Sequence, residues 1–180
     1  MNQRHKVFVS YHHRCDQTYR DQFEHLFNDK YDIMVSKSVQ IGDINPNAST
    51  EYTRQLIRDN YLRDSTVTVV LIGKETWKRK HVDWEISSSL RNTRKNRRSG
   101  LIGILLPSYP DYQNWKPNTI PPRLYDNLEI GFATIHKWST SPHKVQEWID
   151  DAFSRRNIIF PNNSRPMFAH NRSADQKYWQ

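Results

Sequence analysis

The chain of 180 residues is poor in the features that would stabilise or place it by other means. It has a single cysteine, Cys15. No intramolecular disulfide can form, which points away from a secreted chain and towards a cytoplasmic one. No stretch approaches the roughly 20 apolar residues of a membrane span, so no membrane segment is expected. The start, Met1 to Lys6, runs directly into apolar residues, and no signal peptide is visible. No Cys/His cluster has zinc spacing; His12 and His13 are adjacent without matching partners, so no metal is expected. Cys15 has no evident activating base, which argues against a thiol nucleophile.

Positive charge is abundant. There are 27 Lys and Arg against 19 Asp and Glu, a net charge of +8, with an isoelectric point of about 9.6. That balance favours anionic partners. Much of the excess sits at residues 91–98, where Arg91, Arg94, Lys95, Arg97 and Arg98 cluster. As a solvated helix end, the run would complement the negative pole of a helix dipole. As a nucleic-acid patch it lacks interleaved aromatics, so nucleic acid is a weak expectation.

The segment with the most information is 65–86. Residues 65–73, STVTVVLIG, are β-branched and apolar and bounded by turn signals, as in a fully buried strand. The residues after Gly73 open a helix, read as 77 to about 94, which carries Glu85. On it Val82, Ile86 and Leu90 step by four and form a core stripe. Glu85 lies about 60° from Val82, at the stripe's edge. That edge position can turn the carboxylate towards the sheet.

Further strands are expected near 6–11, 32–35, 100–106 and 132–135, and helices over 15–28, 49–61 and from Pro142. Ser49 and Ser141 are the candidate N-caps. Residues 36–48 read as a loop, with Gly42, Asp43 and Pro46. The chain is expected to form one domain over 1–156, with an irregular excursion at 107–126. The extension at 157–180 is expected to be partly packed or disordered; Phe160, Met167, Phe168, Tyr178 and Trp179 are many large apolar groups for a solvated tail.

Strands alternating with helices imply an α/β fold: a five-stranded parallel sheet with helices on both faces, joined by right-handed crossovers. The expected architecture is flavodoxin-like with strand order 2-1-3-4-5. Its switch point places Ser10, Tyr11 and His12 beside the 73–85 segment.

Four features in this order resemble a TIR domain: Phe8 to Tyr11 closing the first strand, a polar loop after the second, Val70 to Gly73 closing the third, and a helix whose glutamate is flanked by tryptophan. Residues 66–86 are especially similar to the bacterial branch that includes the Thoeris anti-phage TIR protein. The similarity covers about 5–106, weakens over 107–156 and is absent from the tail. It implies an enzyme that cleaves the nicotinamide–ribose bond of NAD, an NAD glycohydrolase or ADP-ribosyl cyclase. NAD would be a substrate, with no cofactor needed. Within the Thoeris branch the product is a cyclic ADP-ribose isomer that activates a separate effector. The resemblance also implies self-association on activation and a phage-derived trigger.

Carried over by position, Glu85 falls on the catalytic glutamate, and Ser10 and Tyr11 on the strand end lining the nucleotide pocket. Residues 36–49 fall on the loop bordering the site. The family commonly has a tryptophan four residues before the glutamate; here His81 stands there. Trp77 and Trp84, seven apart on one helical face, are the aromatic candidates to stack on a base. His12 and Asp43 complete the expected substrate contacts.

Each residue has a plainer reading. A lone helical glutamate is usually solvated, tryptophans are usually core anchors, Ser10 suits a cap or turn, His12 an ordinary loop residue and Asp43 a turn. Two other functions compete: a non-catalytic TIR assembly module, and a basic nucleic-acid-binding module with salt-sensitive affinity.

Overall fold

The computed structural model describes residues 4–38 and 47–180. Five strands form one parallel sheet in the order β2-β1-β3-β4-β5. They are β1 (His5–Ser10), β2 (Met34–Lys37), β3 (Val67–Ile72), β4 (Gly100–Leu105) and β5 (Ala133–Lys137). The expected fold class and strand order are both observed.

β3 sits at the centre, and all six of its residues are buried. Within it the side chains still alternate. Val67, Val69 and Leu71 face one layer with Val7, Val9, Ile102 and Ile104. Val70 and Ile72 face the other with Leu101 and Leu105. A strand covered on both faces needs a near-continuous apolar run, which the sequence provides apart from the buried Thr68. The first layer is closed by α1 (His13–Glu24) and α5 (Pro142–Ile158), and the second by α2 (Thr50–Leu56), α3 (Lys80–Ser89) and α4 (Pro122–Glu129). Helices α1 and α2 run on in wider turns, with Tyr31 N–H bonding to Leu26 O and Leu62 N–H to Ile57 O. Both serine caps are observed: Ser49 Oγ accepts from Tyr52 N–H, and Ser141 Oγ from Lys144 N–H.

Some boundaries differ from expectation. β2 begins at Met34 because Asp32 has φ 52°, a left-handed turn conformation that cannot continue a strand. Trp77 lies in a separate short turn, Thr76–Lys78, because Arg79 is extended and breaks the helical path. α3 then stops at Ser89, and the basic run 91–98 is a loop closed by Thr93 and Asn96, not a helix end. The excursion is irregular only as far as Ile120. A helix, α4, starts within it at Pro122, which occupies the first helical turn.

β4 meets α5 at closest range through Gly100. A Cβ there would run into the backbone carbonyl of Ala152. Gly100→Ala is expected to destabilise the fold by about 1–3 kcal/mol, measured by urea unfolding, because a backbone carbonyl has no rotamer by which to yield.

Candidate active site

Parallel strands place all their carboxyl ends on one side of the sheet, and that is where loops build sites in open α/β folds. β1 ends there with Ser10, paired to Val70 of β3. Ser10 Oγ donates to Glu85 Oε2 at 2.5 Å, joining β1 to α3 across 75 positions of sequence. Both residues are buried; Glu85 is only 1% exposed. Its place at the edge of the Val82–Ile86–Leu90 stripe turns it towards the strand end, as the helical spacing predicts.

A carboxyl group removed from water favours its neutral form. Burial raises the Glu85 pKa to about 8, and the Ser10 hydrogen bond pulls it down only in part. The site therefore holds a desolvated carboxyl group beside a hydroxyl. Stability follows with a definite sign. The folded pKa is above the ordinary value of 4.5, so the folded state binds the extra proton between about 4.5 and about 8. Stability is expected to fall as pH rises through that window, by on the order of a few kcal/mol. In Glu85→Gln, chemical unfolding across this range should show a flatter profile.

The neighbouring expected residues have structural partners. Tyr11 OH donates to Gln17 Oε1 at 2.9 Å, and the Arg20 guanidinium lies 5.6 Å from its ring. His12 is the N-cap of α1, its Nδ1 accepting from Cys15 N–H at 3.2 Å. Burial first, then the charge of Arg79, lowers its pKa and favours the neutral ring that such a cap requires. Asp43 lies outside the described residues.

The two tryptophans separate. Trp84 packs with Phe8, Ile57 and Leu62, and its Nε1 donates to Phe168 O at 2.8 Å. It is a core anchor, not a free stacking face. Trp77 lines a cavity of about 400 Å³ with Lys74, Lys78, Tyr109 and Lys116. Neither Glu85 nor Ser10 lines that cavity, so the tryptophan and the carboxylate do not share it. The shared helical face expected from their spacing fails because Arg79 interrupts the helix between them. His81, in the position where a tryptophan is usual, meets Trp84 edge-on at 5.3 Å. Its Nδ1 is buried without a partner, and burial together with Lys80 and Arg79 lowers its pKa to about 4.

Two buried carboxyls escaped the sequence reading. Asp16, in the first turn of α1, accepts from Thr76 Oγ1 at 3.1 Å, and Thr76 Oγ1 in turn accepts from Gly73 N–H at 2.8 Å. Burial raises the Asp16 pKa to about 6 despite these bonds. A Cβ on Gly73 would strike the Asp16 carboxyl, so the glycine after β3 is what admits it. Asp83 is paired to the fully buried Arg123 at 2.9 Å. Its signal is a carboxylate two positions from Glu85, which turns it to the opposite side of α3.

Among the described residues no cluster of three or more His, Cys, Asp or Glu could hold a metal ion. Nor is any described helix long and apolar enough to cross a membrane.

Residues 8–111 match the family described as "Thoeris protein ThsB, TIR-like domain". A Bacillus cereus (strain MSX-D12) protein named "Putative cyclic ADP-D-ribose synthase ThsB1" is 31% identical over 112 residues, 59% of this chain and 55% of that protein. The chain thus spans about 55% of the length of this curated relative. Among solved structures, the TIR domains of the activated Roq1 resistosome, which directly recognises the pathogen effector XopQ, are 17% identical. That match covers 86% of this chain and 85% of the other, with a TM-score of 0.38.

Proposed function

The chain belongs to the Thoeris ThsB TIR-like family, and on that basis we propose that it breaks the nicotinamide–ribose bond of NAD and closes the ADP-ribose into a cyclic isomer. The observation that carries this reading is the buried Ser10–Glu85 hydrogen bond at the carboxyl end of β1. It puts one desolvated carboxyl group where an open α/β sheet places its ligand.

The chemistry asks for little more. As the C–N bond breaks, its electron pair goes to nicotinamide and positive charge builds on the ribose, as in glycoside hydrolysis. Nicotinamide leaves as a neutral molecule from a cationic ring, so no strong general acid is required. A carboxylate near the anomeric carbon stabilises the developing charge, and does so best where water is excluded. Ser10 holds that carboxylate in one orientation. A site without water also favours capture of the cation by a nucleophile of the same molecule, which releases one proton and gives a cyclic product. The relative's name, "Putative cyclic ADP-D-ribose synthase ThsB1", supports cyclisation over hydrolysis.

A carboxyl group with a pKa of about 8 is largely neutral at pH 7. The cationic nicotinamide ring resolves this: an opposite charge alongside favours the carboxylate. Substrate binding thus charges Glu85 when it is needed. The product would signal through a separate effector in anti-phage defence in the cytoplasm, with self-association and a phage-derived trigger controlling the enzyme.

One observation favours a second reading, a non-catalytic assembly module. Glu85 is closed off and does not line the cavity beside Trp77, as a purely structural buried carboxyl would not. Mass spectrometry of NAD incubated with concentrated protein, and with lysate of phage-infected cells expressing it, separates the two. Nicotinamide and a product of ADP-ribose or cyclic ADP-ribose mass support the enzyme. Intact NAD with folded protein in both conditions supports the module.

A further inference from the structure

Beyond the match at 8–111, the C-terminal residues run along α3 in the opposite direction to it. Asn163 Nδ2 donates to Ser87 O at 3.0 Å near the end of the helix. Phe168 N–H donates to Asp83 Oδ2 at 2.9 Å, and Phe168 O accepts from Trp84 Nε1 at mid-helix. Asn171 Oδ1 accepts from Lys80 N–H at 2.9 Å at the helix start. Arg172 N–H then bonds to Lys78 O, and Lys78 Nζ to Ala174 O, each at 2.8 Å. The far side of this segment is tied to α4 and to the residues just before it. Asn162 and Asn127 exchange two bonds, Arg165 forks onto Asp126, and Trp179 donates from both nitrogens to Asn118 O and Ile120 O.

α3 needs such support. It has ten residues, and its own N-cap, Arg79, makes no side-chain capping bond. A helix this short does not hold itself in place. Its first amide is satisfied by Asn171, from 91 positions away. One side of α3 presents Glu85 to Ser10, and the opposite side is held by the C-terminal segment.

We infer that residues 162–179 are a strap that positions Glu85 for reaction, with Asn163 and Asn171 as positioning residues at the two ends of α3. The inference rests on the reading of Glu85 as the reacting carboxylate. A shift of about 1 Å in a catalytic group costs on the order of 10²-fold in rate, so a helix fixed from outside is as much part of the site as the carboxylate it carries.

The test uses the full chain carrying Asn163→Ala and Asn171→Ala; the first also removes an acceptor of the buried Arg123, and the second touches only the Lys80 amide. Glu85 is bonded to Ser10 at the end of β1 and feels Tyr11 just beyond that strand, and His81 lies one turn earlier on α3. Its own protonation is read by infrared spectroscopy, as the carboxyl signal lost in Glu85→Gln, over a pH titration. In the parent protein the midpoint is expected near about 8. In the double variant a loosened α3 admits water, and the midpoint should fall by about one unit or more. Nicotinamide release should fall about tenfold in kcat with KM changed less than about twofold. Asn171→Asp, which still caps, should behave as the parent. A double variant with native circular dichroism and an unmoved Glu85 titration overturns the inference. If the double variant does not fold, the exposed single variant Asn171→Ala is judged by the same titration. The titration needs no turnover. Intact NAD in the parent protein would therefore defeat the enzymatic reading while the positioning question was still decided.

Discussion

Glu85→Gln is expected to lower nicotinamide release from NAD by about 10²- to 10³-fold or more, in a protein that remains folded. Glutamine has nearly the same shape, and its side-chain oxygen can still accept from Ser10 Oγ. The fold loses no contact and is relieved of a carboxyl group whose ionisation burial opposes. On the proposed mechanism, what disappears is the negative charge that the reacting ribose needs. In the parent protein kcat/KM should rise with pH through about 8, because on the proposed mechanism free Glu85 must lose a proton to match a cationic substrate. The corresponding limb in kcat should lie at lower pH, since the bound nicotinamide ring has already drawn the carboxyl towards its charged form. Initial rates across pH, with nicotinamide quantified by chromatography, check both limbs. Turnover by Glu85→Gln within tenfold of the parent would remove the carboxylate from the mechanism.

Much of the architecture is legible because the central sheet is simple. β3 and β4 are buried on both faces, so their residues read as near-continuous apolar runs ended by Gly73 and Pro107. The alternation of strands and helices then leaves few topologies, and order 2-1-3-4-5 brings Ser10 towards Glu85 before any contact is seen. What misleads is backbone conformation at single residues. Asp32 in the left-handed region moves β2, and an extended Arg79 divides what looked like one helix into a short turn and α3. α4 is hidden because it has only eight residues and follows a stretch rich in proline and tyrosine.

The same distinction governs the site. Ser10 and Glu85 are side chains on regular elements, so strand order and helical period locate them. Trp77 and Trp84 were placed on one face by a period of seven that requires an unbroken helix, and Arg79 removes that condition. The strap is illegible for another reason. Its bonds run to backbone carbonyls and amides, as from Trp84 Nε1 to Phe168 O and from Phe168 N–H to Asp83, and a backbone group leaves no mark in the sequence. The Asp83–Arg123 pair spans 40 positions and needs α4, a helix the sequence does not announce.

That pair carries the largest expected effect on stability. Arg123 is fully buried and Asp83 is 2% exposed. The guanidinium bonds Asp83 through Nε at 2.9 Å and Nη2 at 3.3 Å. It also donates to Asn163 Oδ1 at 2.8 Å and Pro166 O at 3.3 Å, so one cation ties α4, α3 and the strap together. The attraction only offsets what burial of two charges costs, so the pair itself is not the source of stability. Breaking it is another matter. Arg123→Met leaves the Asp83 carboxylate in the interior with the Phe168 amide as its remaining bonded partner, and should destabilise the protein by about 3–5 kcal/mol. For a chain of this length that is a fall in Tm of roughly 10 °C. Asp83→Leu together with Arg123→Met removes both charges and should recover most of the loss, because no buried ion is then left uncompensated. Calorimetry of the single and double variants decides it. A single variant as stable as the parent would mean that water reaches Asp83 when the guanidinium is gone.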